Sequence, residues 1–109
     1  MRRFKVVLTE NAVLDLEDIA HCLALHGGPD KAEHVGRRIE KAFSSLTLFP
    51  ERGNHPQDLL ALGDRSFREV HFKPYRIVYR ITGNQVFIHM IADGRRDMRA
   101  LMARRLLGA

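Results

Sequence analysis

Arginine is the residue type in this chain most able to do chemistry, and it is concentrated toward the C-terminus. The sequence has 14 arginines and 4 lysines. Residues 1–53 hold eight basic and eight acidic side chains, whereas residues 54–109 hold ten basic and five acidic ones, which gives the whole net charge of +5. A guanidinium binds phosphate or carboxylate through two parallel hydrogen bonds. The composition predicts a polyanionic partner, although a basic face that is only solvated has the same composition.

Two of these arginines belong to a predicted strand. In residues 75–81, apolar and aromatic side chains alternate with Arg76, Val78 and Arg80, which is the period of a strand buried on one face. Gly83 and Asn84 then supply the positive-φ positions of a two-residue hairpin turn. Residues 85–92 are therefore predicted to form the return strand.

A two-residue turn fixes the register of this hairpin. The apolar pairs it predicts are Ile81 with Val86, Tyr79 with Ile88, Ile77 with Met90, and Tyr75 with Ala92. On the other face it pairs Arg80 with Phe87, Val78 with His89, and Arg76 with Ile91. Two guanidinium groups and one imidazole would then share a face, which suits an anion.

The elements upstream must position this hairpin. Residues 4–8 are predicted to form a first strand, and Thr9 is a plausible N-cap for a helix that runs to His26 and ends at two glycines. A second helix is predicted to begin near Pro29 or Asp30 and to end before residue 50. The pattern predicts an α+β fold in which a two-helix hairpin packs on a mainly antiparallel sheet of about four strands.

Residues 51–64 combine turn formers with a short apolar patch and are interpreted as a surface excursion. They lead into a strand over residues 67–72, which Lys73 and Pro74 turn back. Because this turn could have two or three residues, the sequence leaves open which side chains share the face of Arg76. The alternatives are Arg68 on the one hand and Phe67, Glu69 and His71 on the other.

The chain ends in a predicted basic helix that is capped near Asp97. Its apolar stripe consists of Met98, Leu101, Met102 and Leu106, and its arginines, with those just before it, are Arg95, Arg96, Arg99, Arg104 and Arg105. Most of these five side chains are expected to be solvated on an amphipathic helix that packs on its own domain. Some of them are expected to bind a partner.

The remaining composition limits the possible functions. A chain of 109 residues is expected to form one domain, residues 1–109. No apolar segment is long enough for a membrane span or a secretory signal, so a cytoplasmic location is expected. Cys22 is the only cysteine and is interpreted as a core residue. The histidines have no metal-ligand spacing, and neither a metal nor another cofactor is expected.

Several stretches of the chain together resemble one known family. They are VLTENAVLDLEDIA at residues 7–20, FPERG at 49–53, FREV at 67–70, YRIVYRI at 75–81 and GRRDMRALMARRLL at 94–107. In these strings, and in the order of its elements, nearly the whole chain is similar to the RelE/ParE superfamily of bacterial toxins from type II toxin–antitoxin modules. The last string is more similar to the ParE branch, which acts on DNA gyrase, than to RelE, which cuts messenger RNA in the ribosomal A site.

The resemblance implies a particular chemistry if the chain is RelE-like. Such enzymes cleave RNA with sheet lysines and arginines and a tyrosine near the C-terminus, which serve as acid, base and phosphate ligands. Here Arg76 matches the strand arginine, and Arg95 or Arg96 matches the basic group after the last strand. Leu101 and Met102 lie where the tyrosine is expected. Because other branches use histidine instead, His71 and His89 keep a ribonuclease hypothesis open.

Three functions follow as hypotheses. The first is a gyrase-inhibiting toxin that performs no covalent chemistry. The second is a ribosome-dependent endoribonuclease with Arg76, Arg80, His89 and Arg96 as its site. The third is a basic nucleic-acid-binding module with a steep salt dependence.

The resemblance also implies a cognate antitoxin that binds this chain. An acidic segment could fold onto the arginines or into the groove of the helical hairpin. The residues expected to bind the target or the antitoxin are Arg68, Arg76, Arg80, Arg95, Arg96, Arg99, Arg104 and Arg105.

Overall fold

The computed structural model of the chain describes residues 2–108. Its elements are β1 (Lys5–Leu8), α1 (Glu10–Gly27), α2 (Pro29–Ser44), a 3₁₀ turn (Ser45–Thr47), α3 (Gln57–Leu60), β2 (Arg68–Phe72), β3 (Tyr75–Thr82), β4 (Gln85–Asp93) and α4 (Met98–Leu106). The predicted α+β class, the helical hairpin and the C-terminal helix are all confirmed.

The helical hairpin begins and turns at the residues that the sequence indicated. Thr9 caps α1, because its Oγ1 accepts a hydrogen bond from the N–H of Ala12 at 3.3 Å. The same hydroxyl donates to the carbonyl of Ile88 at 2.8 Å, which ties the start of α1 to β4. Gly28, at φ 90°, separates α1 from α2 in a conformation that favours glycine.

The four strands form one sheet in the order β1-β4-β3-β2. β1 pairs with β4 in parallel, and the other two pairings are antiparallel. The sheet is therefore mainly antiparallel, as predicted. Along the chain, the hairpin α1–α2 comes after β1 and before its parallel neighbour β4. The two helices cover one face of the sheet.

The predicted register of the β3–β4 hairpin is confirmed only near its turn. Ile81 faces Val86 and Tyr79 faces Ile88, but Val78 then faces Met90, so His89 is left without a partner. This β-bulge puts one extra residue in β4 and moves every later pair by one position. The later pairs are Ile77 with Ile91, Arg76 with Ala92, and Tyr75 with Asp93, so the four predicted pairs of residues 75–78 were wrong.

The β2–β3 connection answers the question that the sequence left open. Lys73 and Pro74 form a two-residue turn, and His71 lies directly opposite Arg76. Glu69 and His71 therefore share the face of Arg76. Arg68 is opposite Tyr79 and lies on the other face.

Side chains pack into a core on each face of the sheet. The first core lies under α1 and α2 and includes Ala12, Ile39, Leu46, Ile77, Tyr79 and Ile88. The second lies under α3 and α4 and includes Leu59, Phe67, Val78, Met90, Met98, Leu101 and Met102. Residues 51–64 are thus more than a surface excursion, because Leu59 is 1% exposed. Cys22 is exposed, so its interpretation as a core residue was wrong.

Candidate functional site

Arg76 lies in an ion-pair network. Its Nε donates to Oε1 of Glu69 at 2.6 Å, and its terminal nitrogen donates to Oε2 of Glu69 at 2.9 Å and to Oδ1 of Asp58 at 2.6 Å. The side chain of Glu69 is only 3% exposed, and that of Arg76 is 19% exposed. The hydrogen bonds that Arg76 donates to Glu69 raise the pKa of Arg76, so the guanidinium stays charged. Two carboxylates compensate that charge, which leaves little of it for an outside anion.

The same network includes one histidine and the short helix α3. The ring Nε2 of His71 lies 3.0 Å from Oε1 of Glu69. Burial, the largest single cause, would raise the pKa of Asp58, but the hydrogen bond from Arg76, a backbone hydrogen bond and the charges of Arg76 and Arg99 together outweigh it and lower the pKa. The carboxylate of Asp58 therefore attaches α3 to the sheet across the side chain of Arg76.

Arg68 and Arg95, two more of the predicted site arginines, also have intramolecular partners. Arg68 donates to the carbonyls of Glu51 and Gly53 at 3.1 and 2.9 Å and so holds the loop after α2. Arg95 pairs with Asp93 at 2.6 Å. The contacts of Arg68 indicate a structural role, whereas the side chain of Arg95 remains 78% exposed beside its partner.

Arg105 connects α4 to the rest of the fold. Its two terminal nitrogens donate to the carboxylate of Asp15 at 3.1 and 2.9 Å, and one of them also donates to the carbonyl of His89 at 3.3 Å. Asp15 in turn accepts the N–H of Ile91 at 2.9 Å. The end of α4 is thus attached to both α1 and β4.

The other four predicted arginines are exposed and form no ion pair with any of residues 2–108. They are Arg80, Arg96, Arg99 and Arg104. We call them the unpaired arginines. A partner could therefore bind these charged groups without breaking an internal ion pair.

Two of the predicted ribonuclease residues, Arg80 and His89, lie beside the same aromatic ring, that of Phe67. The guanidinium carbon of Arg80 lies 5.7 Å from the ring centroid of Phe67, and the His89 ring meets the same phenyl ring edge-on at 5.6 Å. Burial, with a smaller contribution from the charge of Arg80, lowers the pKa of His89. The imidazole is therefore neutral at pH 7.

The four predicted ribonuclease residues do not meet in one place. Arg96 lines a cleft of about 220 Å³ on the α1 side of the sheet, where its neighbours include Asp18 and Tyr75. Arg80 and His89 lie on the opposite face, and the carboxylates of Glu69 and Asp58 compensate Arg76. Across residues 2–108, no cluster of three or more His, Cys, Asp or Glu side chains could hold a metal ion.

Sequence reasoning missed the acidic partners. The sequence pattern did not single out Asp15 on α1, and Glu69 was only one of several candidates for the face of Arg76. The available signal was F-R-E-V, a hydrophobic strand pattern that one glutamate interrupts. This pattern indicates a buried carboxylate, and a buried carboxylate needs a cation as its partner.

A model of the family described as ParE toxin of the type II toxin–antitoxin system parDE matches residues 6–98. The chain is also 31% identical over 101 residues to Toxin ParE3 of Caulobacter vibrioides, covering 93% of this chain and 97% of that protein. The chain belongs to the ParE toxin family.

Solved structures share the ParE fold. One is a chromosomal ParDE toxin–antitoxin system from P. aeruginosa, with a TM-score of 0.71 at 19% identity, covering 84% of this chain and 96% of that one. Another is the toxin–antitoxin complex RelBE2 from Mycobacterium tuberculosis, with a TM-score of 0.58 at 24% identity, covering 85% and 93% of the two chains. The superfamily resemblance in the sequence is therefore confirmed.

One further property of the ParE chain concerns membranes. No helix within residues 2–108 is both long and apolar enough to cross a bilayer.

Proposed function

We propose that this ParE-family chain inhibits DNA gyrase in the cytoplasm and that a cognate antitoxin neutralises it. One observation carries the proposal beyond family membership. The cations that a phosphate-cleaving site would need are divided between internal ion pairs and separate surfaces. Such an arrangement favours inhibition by binding over covalent chemistry.

The unpaired arginines are the proposed contact groups for gyrase. Two of them, Arg99 and Arg104, lie on α4, whose apolar stripe packs on the second core. The packed stripe fixes the helix, so its outer arginines are presented at defined positions. Long-range attraction to an acidic or nucleic-acid-bound surface would speed association, and added salt would weaken it.

The test is a supercoiling assay with purified gyrase and antitoxin-free protein, scored for lost supercoiling and for gyrase-linked DNA breaks. We expect inhibition by the natural chain. We expect the double variant Arg99→Glu, Arg104→Glu to need at least ~10-fold more protein for the same inhibition.

The matched control is the double variant Lys31→Glu, Lys41→Glu, which makes the same charge change on α2 at exposed positions. It should inhibit nearly as well as the natural chain. Equal losses in both double variants would show that net charge matters and that α4 does not. Folded natural protein with no effect on gyrase would refute the proposed target.

The antitoxin is tested in the same assay. Adding the cognate antitoxin, which we expect the neighbouring gene to encode, should restore supercoiling at a ratio set by the stoichiometry of the complex. Failure to restore it, with inhibition otherwise intact, would refute neutralisation while leaving the gyrase target in place.

The positions of Arg80 and His89 beside the same Phe67 ring favour a second candidate, the ribosome-dependent endoribonuclease. A neutral imidazole beside a guanidinium could take a proton while the cation stabilises a phosphate. Cleavage of messenger RNA on ribosomes that is lost in His89→Gln but kept in His71→Gln would establish it. No cleavage by folded protein would exclude it.

A further inference from the structure

The cleft that Arg96 lines lies between α1 and the sheet, and we call it the α1 cleft. Five of its lining residues lie on α1 at the i, i+3, i+4, i+7, i+8 spacing of one helix face, namely Asp15, Asp18, Ile19, Cys22 and Leu23. Tyr75 of β3 and the last residues of β4 form the opposite wall. The volume of about 220 Å³ is below the roughly 300–1,000 Å³ of pockets for drug-sized ligands. The α1 cleft therefore suits a smaller molecule.

The phenol of Tyr75 points to an occupant of this cleft. The residue is only 9% exposed, yet its hydroxyl has no hydrogen-bond partner within residues 2–108. By contrast, the hydroxyl of Tyr79 on the same strand donates to the carbonyl of Pro50 and accepts from the N–H of Gly53. Polar groups buried to this degree normally have a partner. The hydroxyl of Tyr75 therefore has both a donor and an acceptor to offer.

This hydroxyl faces the cleft and not the core. Burial, with smaller contributions from Asp93 and Cys22, raises the pKa of Tyr75. Those two residues line the α1 cleft, one on each wall, so the phenol lies between them. Within residues 2–108, no fully buried side-chain nitrogen or oxygen lacks a partner. The unpartnered hydroxyl of Tyr75 is therefore reached from the cleft.

The cleft also has two charged groups that the fold leaves uncompensated. Arg105 compensates Asp15, and Arg95 compensates Asp93. The carboxylate of Asp18 and the guanidinium of Arg96 are exposed, and they form an ion pair neither with each other nor with any other of residues 2–108. The α1 cleft therefore offers one free anion and one free cation.

These two charges define the ligand. A purely cationic ligand at Asp18 would be repelled by Arg96, and a purely anionic ligand at Arg96 would be repelled by Asp18. A molecule with one ammonium and one carboxylate compensates both, and a guanidinium binds a carboxylate through two hydrogen bonds. The half-buried side chains of Ile19 and Leu23 line the same cleft and favour an aliphatic group between the charges.

We propose that the α1 cleft binds a free α-amino acid with a small apolar side chain, whose ammonium lies at Asp18 and whose carboxylate lies at Arg96. The hydroxyl of Tyr75 then gains the hydrogen bond that the fold does not supply. This inference does not rest on the gyrase target or on the antitoxin, because amino-acid binding is measured on the chain alone.

The first experiment is an NMR titration of the isotope-labelled chain with L-valine and L-leucine at pH 7. Saturable shifts are expected at the amides of Cys22, Ala92 and Asp93, and the amides of α2 should not move. The dissociation constant should be on the order of 1 mM or tighter. No saturable shift with either amino acid would overturn the inference and leave water as the occupant of the cleft.

Two analogues of the bound amino acid test both charges. Its amide keeps the ammonium but lacks the carboxylate, and the corresponding deaminated acid keeps the carboxylate but lacks the ammonium. Each analogue should bind at least ~10-fold more weakly than the amino acid. An analogue that binds as tightly as the amino acid would show that the cleft recognises one charge only, which would overturn the proposal.

Two variants remove the protein's side of each contact. Asp18→Asn should lose at least ~10-fold in affinity for the amino acid but not for the deaminated acid. Arg96→Gln should lose as much for the amino acid but not for the amide. The matched controls are Glu17→Gln and Arg65→Gln, which remove the same charges at exposed positions outside the cleft. Equal affinities in a cleft variant and its control would overturn the inference.

Tyr75→Phe tests the hydroxyl while it keeps the ring in the core. Its melting temperature should stay close to that of the natural chain, because the hydroxyl has no internal partner. Its affinity for the amino acid should fall by at least ~3-fold. Unchanged affinity would overturn the contact of this hydroxyl with the ligand. If Tyr75→Phe fails to fold, Asp18→Asn and Arg96→Gln at their exposed positions decide the proposal.

Discussion

Replacing Arg76 with alanine should destabilise the fold strongly, because the guanidinium is the main partner of a buried carboxylate. Glu69 is 3% exposed, and both of its oxygens accept hydrogen bonds from Arg76. Breaking a buried pair by removing one partner costs about 3–5 kcal/mol, since the other charge stays buried without compensation. The loss of the bond to Asp58 acts in the same direction.

The size of the effect can be stated for a melting experiment. In domains of this length, 1 kcal/mol corresponds to roughly 4 °C, so Arg76→Ala should melt about 12–20 °C below the natural chain. Urea unfolding followed by far-ultraviolet circular dichroism measures the same loss as a lower midpoint at an unchanged slope. This loss is a large fraction of the stability of a typical domain.

Arg80→Ala is the matched control, because it is the same substitution on the same strand at an exposed position. It should cost only about 0.5–1 kcal/mol, which is the contact with Phe67. The double variant Glu69→Leu, Arg76→Met should be more stable than Arg76→Ala, because it removes both charges together. Arg76→Ala that melts like the natural chain yet loses its inhibition would refute this reasoning and give Arg76 a functional role.

Three further predictions concern other contacts. Arg105→Ala should lower the free energy of unfolding by about 1–3 kcal/mol in urea titration, because Asp15 then loses its cation. The depressed pKa of His89 means that the unfolded chain binds the proton more tightly, so stability should be complete above about pH 6.5 and fall below it. His89→Gln should remove that part of the pH dependence of the melting temperature. Tyr79→Phe should cost about 1–3 kcal/mol by thermal unfolding, because the phenol donates to the carbonyl of Pro50 at 2.6 Å.

Local patterns predicted most of the elements, since helices and strands are specified by nearby residues. The Thr9 cap, the glycines that end α1, and the Asp97 cap of α4 all lie where the sequence indicated. The β3–β4 turn also formed as predicted, and with it the first apolar pairs. These features depend on a few consecutive residues, so no knowledge of distant partners was needed.

The candidate site was predicted less well, because the role of an arginine depends on what lies across from it. All eight candidate arginines were equivalent in the sequence. The fold divides them into four with partners and four unpaired arginines. The partners of Arg76 and Arg105 include carboxylates 7 and 90 residues away, those of Glu69 and Asp15. Bulge formation at His89 had no local signal either.

The sequence by itself determined the order of the elements other than α3, the α+β class and the excess of arginine in the C-terminal half, since these follow from periodicity, capping and composition. Tertiary structure alone decided the register beyond His89, the face of Arg68 and the lining of the α1 cleft. Each of these depends on which elements become neighbours and which charges are buried together. Burial makes an unpaired charge costly, so packing determines which arginines remain available to a partner.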